Sequence, residues 1–92
     1  MGSKAVTYNQ HGIDQLPEDQ PVLYRIKNEA GMMNYVGVAQ KGYVRERISV
    51  HLRGGVPGVK VHIEQFSNLK DAQKKEINVI RRAKARYARE GK

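Results

Sequence analysis

One acidic residue constrains the chain more than any other. Over 69–89 the sequence has the period of a long helix. At about 100° per residue, Leu69, Ala72, Val79, Ile80, Ala83 and Tyr87 fall in one apolar stripe, with Glu76 in its middle. Lys70, Lys74, Arg81, Arg82 and Arg89 take the opposite side, so the helix is amphipathic apart from that single acid. Burying a carboxylate costs several kcal/mol unless something compensates its charge. The fold must therefore bring Glu76 a metal, an arginine or a proton.

The remaining chain can build only a small structure around this helix. With 92 residues it is expected to form one domain, since domains commonly run to about 100–150 residues. A hydrophobic fraction of 39%, with both β-branched runs and helical periodicity, indicates a folded α/β or α+β chain. The absence of cysteine excludes disulfides and zinc–thiolate sites. No apolar run is long enough to cross a membrane, so the expectation is a soluble protein of the cell interior, in cytoplasm, nucleoid or nucleus. The net charge is +8, and its excess gathers in 74–92. That balance favours a polyanionic partner, with nucleic acid the leading class and a merely solvated helix face the bland alternative. Lys41, Arg45, Lys74, Arg81, Arg82 and Lys84 are the cations expected to meet it. Contact with about six phosphates would make affinity fall about a thousandfold between 50 and 200 mM salt.

Read in order, residues 1–20 show little periodicity. Gly12 and Pro17 interrupt them, and the expectation is a mobile or loosely docked arm ahead of a folded unit spanning 21–92. His11 in this arm reads as an incidental exposed histidine. In 22–27, Val22, Tyr24 and Ile26 share one face while Arg25 and Lys27 lie on the other, the pattern of a half-buried strand. The stretch 28–31 supplies turn chemistry, with Gly31 free to take positive φ, and 33–37 reads as the returning strand. A tight turn would set Tyr24 directly opposite Tyr35, and a bulge at Gly31 would set them diagonally. A helix over 43–53 buries Val44, Ile48 and Leu52 and stacks Arg47 and His51 on one flank, with Arg45 pointing elsewhere. The glycine-rich run 54–58 ends it. A third strand follows over 59–66 with His62 on its polar side, and Ser67 or Asn68 caps the last helix. The expected order is strand, strand, helix, strand, helix.

Tyr24, Tyr35, Arg47, His51 and Glu76 are thus polar groups on or beside apolar faces, with His62 a further candidate. Such a set suits phosphodiester hydrolysis. That reaction needs a positioned water, a base for its proton, cationic stabilisation of the phosphate and help for the leaving oxygen. Each residue also has a plain structural reading: cross-strand aromatics for the tyrosines, neutralisation of Glu76 for Arg47, a surface position for His51. Composition and spacing alone support nucleic-acid binding better than catalysis.

The motifs carry a resemblance. Val22-Leu23-Tyr24, followed by Tyr35-Val36-Gly37, is similar to the paired signature strands of the GIY-YIG nuclease family, found in homing endonucleases, restriction enzymes and the excision-repair nuclease. Arg47 through His51 resembles the family's Arg-x-x-x-His helix, and the stretch 72–80 resembles its catalytic-glutamate helix. The resemblance spans about 21–87. It implies a small three-stranded antiparallel sheet flanked by helices, and a divalent-metal-dependent endonuclease acting on DNA. Glu76 would hold one Mg²⁺ or Mn²⁺, and Tyr24 would activate water. Tyr35 would contact water and phosphate, Arg47 would brace the scissile phosphate and His51 would assist proton transfer. It also implies a cleavage module that works as a dimer, is joined to separate recognition elements, or cuts with little specificity. A non-catalytic DNA- or RNA-binding module is the rival expectation, and a double-stranded-RNA binder using Lys74, Lys75 and Arg81 a third. Three departures are visible. Val22-Leu23 stands where the family has Gly-Ile, the Tyr35 to Arg47 loop is longer and makes Arg45 a competing match, and Ala88 stands near the place of a late family asparagine.

Overall fold

The computed structural model describes residues 2–83. Its elements are β1 (Ser3–Thr7), α1 (Gln10–Ile13), β2 (Val22–Lys27), β3 (Met33–Ala39), α2 (Val44–Arg53), β4 (Lys60–Gln65) and α3 (Leu69–Ala83). The strands form one antiparallel sheet in the order β1-β4-β2-β3. The α+β class and the flanking helices agree with the sequence expectation, and the sheet has four strands instead of three.

The added strand corrects the reading of 1–20. β1 pairs along β4, and Ile13 and Leu16 are fully buried with Tyr8 nearly so. The Tyr8 hydroxyl donates to the Val56 carbonyl at 2.8 Å, and the Asn9 side chain caps α1 by accepting from the Gly12 amide at 2.8 Å. The stretch is a docked part of the core.

Alternation in the strands divides the molecule into two layers. Val22, Tyr24 and Ile26 of β2 join Val61 and Ile63 of β4 beneath Ile13, Leu16, Val44 and Ile48. This layer is sealed by α1, its following loop and α2. The opposite face carries Leu23 and Val36, both fully buried, and α3 packs there against β2 and β3 with Ala72 buried. A bridge from Lys75 to Glu64, 3.6 Å long, fixes α3 on this side, since Glu64 pairs with Leu23 in the register. Asn68 is the cap of α3, its side chain accepting from the Asp71 amide at 2.9 Å.

The β2–β3 hairpin turns through Gly31 at φ 84, with Asn28 Oδ1 accepting from the Ala30 and Met32 amides. Its register shifts between Ile26 and Lys27, so Tyr24 pairs with Gly37 while Tyr35 pairs with Ile26. The tyrosines are therefore diagonal neighbours. The irregularity falls at Asn34, which pairs with nothing across the hairpin and whose side chain donates to the Pro57 carbonyl at 2.9 Å. It does not fall at Gly31.

Candidate active site

Tyr24 comes from the central strand β2, Tyr35 from the edge strand β3 and His51 from α2. Their rings meet on the α2 side of the sheet. The tyrosine rings are nearly parallel, 9° apart with centroids at 6.0 Å, and the imidazole lies 4.2 Å from the Tyr35 ring and 5.6 Å from Tyr24. The Tyr24 hydroxyl and His51 Nε2 share a 2.6 Å hydrogen bond, whose donor depends on the imidazole tautomer.

A glycine makes this possible. A methyl group on Gly37 would stand 2.6 Å from the Tyr24 oxygen and 3.1 Å from the Tyr35 ring. Only a residue without a side chain lets the phenol of Tyr24 lie across β3 and reach His51. Tyr24 itself is nearly inaccessible, whereas Tyr35 and His51 are half-buried. The cluster thus has a closed inner end and an open outer one.

The outer end is an open groove of 380 Å³ lined by Gln40, Tyr43, Glu46, Arg47, Val50 and His51. Arg47 stands one helical turn before His51 and is exposed. Burial, and then the Arg47 guanidinium, lower the His51 pKa below its ordinary 6.5. Near neutral pH the imidazole is therefore uncharged and can accept a proton at its unprotonated nitrogen. Tyr43, Val50, Gln40 and Glu46 did not figure among the sequence candidates. Tyr43, Arg47, Val50 and His51 follow the helical i, i+4, i+7, i+8 pattern, so the exposed stripe of α2 held the signal.

Arg45 belongs elsewhere. Its Nε donates to the Leu16 carbonyl at 2.8 Å, and its backbone amide donates to Glu18 at 3.0 Å. It ties the α1–β2 loop to the start of α2, where Tyr43 offers no side-chain cap. Between the two arginines competing for the signature position, Arg47 is the one in the groove. Lys41, Lys74, Arg81 and Arg82 are exposed. Lys84, Tyr87 and Ala88 lie outside the described residues.

Glu76 is buried, at 9% exposure, in the inward stripe of α3. It belongs to the opposite layer from Tyr24. α3 packs on β3 and β2 from that layer, so the structure does not bring Glu76 onto the sheet face that carries Tyr24, Tyr35 and His51. Among the described residues no group of three or more acidic or histidine side chains could hold a metal. A hard divalent cation such as Mg²⁺ takes one or two carboxylates and completes its shell with water. A single buried carboxylate can supply one such ligand.

No protein-family model and no curated protein matches the chain.

Proposed function

We propose that the chain is a divalent-metal-dependent nuclease domain that hydrolyses phosphodiester bonds of DNA in the α2 groove. The observation that carries this reading is the 2.6 Å Tyr24–His51 hydrogen bond, with Tyr35 stacked beside it and Arg47 one turn away at the groove. These are a proton path and a phosphate brace in one place.

Arg47 offers a planar pair of donors to the phosphate oxygens and stabilises charge that builds as water attacks phosphorus. Tyr35, partly accessible, orients the water and the phosphate. As the water oxygen bonds to phosphorus, its proton passes to the Tyr24 oxygen while the phenolic proton moves to His51 Nε2. The bond to the leaving oxygen breaks, that oxygen takes up a proton from solvent, and His51 then returns its proton to solvent. A lowered His51 pKa keeps the acceptor vacant at neutral pH. Glu76 is the residue that would hold the metal; it stands on the other face of the sheet from the groove, so the Lewis acidity the ion would supply reaches a phosphate only where DNA passes the β3 edge.

The test is cleavage of supercoiled plasmid with Mg²⁺ or Mn²⁺. Tyr24→Phe, Arg47→Ala and Glu76→Gln are each expected to lose activity by about a hundredfold or more, as for loss of a general base or charge stabiliser. Wild-type cleavage that persists unchanged in Tyr24→Phe and Arg47→Ala would reject the groove as the site.

A second reading, a non-catalytic nucleic-acid-binding module, draws on the exposed Lys74, Arg81 and Arg82 of α3. It predicts salt-sensitive binding with no cleavage under any divalent ion. The intracellular setting belongs to both readings. Among the described residues no helix is long and apolar enough to cross a membrane.

A further inference from the structure

The sheet face opposite the tyrosine cluster is only partly covered. α3 lies over β2 and β3. Toward β1 and β4 the same face stays open, with Ser3, Ala5, Thr7 and Lys60 exposed and His62 half-buried. Register sets three cations and an imidazole side by side there, Arg25 opposite His62 and Lys27 opposite Lys60. Two lysines facing each other across antiparallel strands repel. The nearby acid, Glu64, is already engaged, 3.9 Å from Arg25 and 3.6 Å from Lys75. Among the described residues neither Lys27 nor Lys60 has an ion-pair partner. The His62 imidazole senses the same field: its pKa is lowered by burial and then by Lys27, Lys60 and Arg25.

Repulsion of this kind is a standing cost in the isolated fold, and a polyanion removes it. Spacing favours an extended partner over a small ion. Same-face residues recur at roughly 6.8 Å along a strand, and neighbouring strands lie about 4.8 Å apart. The charges therefore form a grid that a chain of phosphates can span and a single small anion cannot. The bordering Ser3, Ala5 and Thr7 are small, leaving the grid open to a backbone, and a groove of 490 Å³ beside Arg25 and His62 continues it.

We propose that Arg25, Lys27, Lys60 and His62 form a second nucleic-acid docking surface, which holds the phosphate backbone of a DNA duplex on the sheet face away from the tyrosine groove. This goes beyond the proposed cleavage and requires only that DNA be the partner.

The experiment is binding of a short labelled DNA duplex, followed by fluorescence anisotropy over a salt series without divalent ions, with thermal melts of each variant. Lys27→Ala/Lys60→Ala is expected to reduce the slope of log affinity against log salt by about 1.8 and to weaken binding about tenfold near 100 mM salt. Lys60→Glu is the sharper probe. It places an acid opposite Lys27, so it is expected to raise the melting temperature while weakening binding. A purely structural role for Lys60 moves both measurements the same way.

Unchanged slope and affinity in both variants would overturn the proposal. So would wild-type protein that ignores the duplex at low salt but binds polyglutamate through the same lysines, which would give the face to an acidic polypeptide. Tyr24→Phe separates this inference from the nuclease reading. Lost cleavage with an intact lysine-dependent slope upholds both, while lysine-dependent binding without any wild-type cleavage upholds the docking face alone.

Discussion

At the scale of single residues, Gly37 controls whether Tyr24 and His51 can meet. β2 lies inside the sheet and cannot retreat from an added methyl group, and the Tyr24 ring is buried against Gly37. Gly37→Ala is expected to destabilise the fold by about 1–3 kcal/mol, as overpacking does, and to abolish cleavage even where the protein stays folded. Urea melts read the first effect and plasmid nicking the second; an alanine variant with wild-type activity would show that the phenol need not lie where it does. His51 gives a second prediction. Its pKa is lowered by burial first and by Arg47 second, so Arg47→Gln should raise it toward the ordinary value without restoring it fully. Titration of the imidazole protons by NMR checks this. A histidine whose pKa is lower in the folded than the unfolded state binds fewer protons when folded. Its contribution to stability is therefore present above the unfolded pKa, about 6.5, and is lost as pH falls from there through the folded value. Melts across that interval should show a smaller loss for Arg47→Gln than for wild type.

At the scale of elements, legibility followed repetition. β4 alternates cleanly, Val61 and Ile63 against Lys60, His62 and Glu64, and so does β2 with Val22, Tyr24 and Ile26 against Arg25 and Lys27 apart from Leu23, which is buried on the second face, so their faces could be read directly. The stripe of α2 was equally plain in Val44 and Ile48. β1 and α1 were hidden because neither is long enough to show a period. β1 contributes only Val6 as a half-buried apolar contact, and α1 has four residues. Gly12, which reads as a breaker, sits inside α1 because a methyl group there would stand 2.2 Å from the Thr7 carbonyl. The hairpin register depended on a long-range hydrogen bond from Asn34 to Pro57, which no local pattern encodes. In the site, Arg47 and His51 followed from helical stacking, whereas the groove residue Tyr43 was missed because attention to buried stripes overlooks an exposed one. Capping was legible to within one residue at α3. Asn68→Ala should cost about 1 kcal/mol of stability, since Asn68 accepts from the Asp71 amide. A thermal melt unchanged by Asn68→Ala would move the cap.

At the scale of the whole molecule, the N-terminal stretch ties β4 to α2. β1 adds an outer strand to β4, so β4 gains a partner on the side that β2 leaves open. Tyr8, Ile13 and Leu16 then fill the layer that also contains Tyr24 and Ile48. Glu18 and the Leu16 carbonyl hold Arg45 and the start of α2, which carries Arg47 and His51. A small domain has little apolar area to spare: one of about 60 residues buries only about 60% of its unfolded surface. Removing residues 2–16 should therefore do more than trim a tail. It exposes one edge of β4, empties the space under α2 and frees the loop that anchors α2. The expected result is a large drop in the urea midpoint with a broadened transition, and loss of the slow-exchanging amides of β4 together with those of α2. If the stretch were only an attached arm, the shortened chain would keep its midpoint and its protected amides, and the groove with Tyr24 and His51 would survive unchanged. Hydrogen exchange distinguishes the two outcomes, because only in the first do β4 and α2, each packed against the removed stretch, lose protection together.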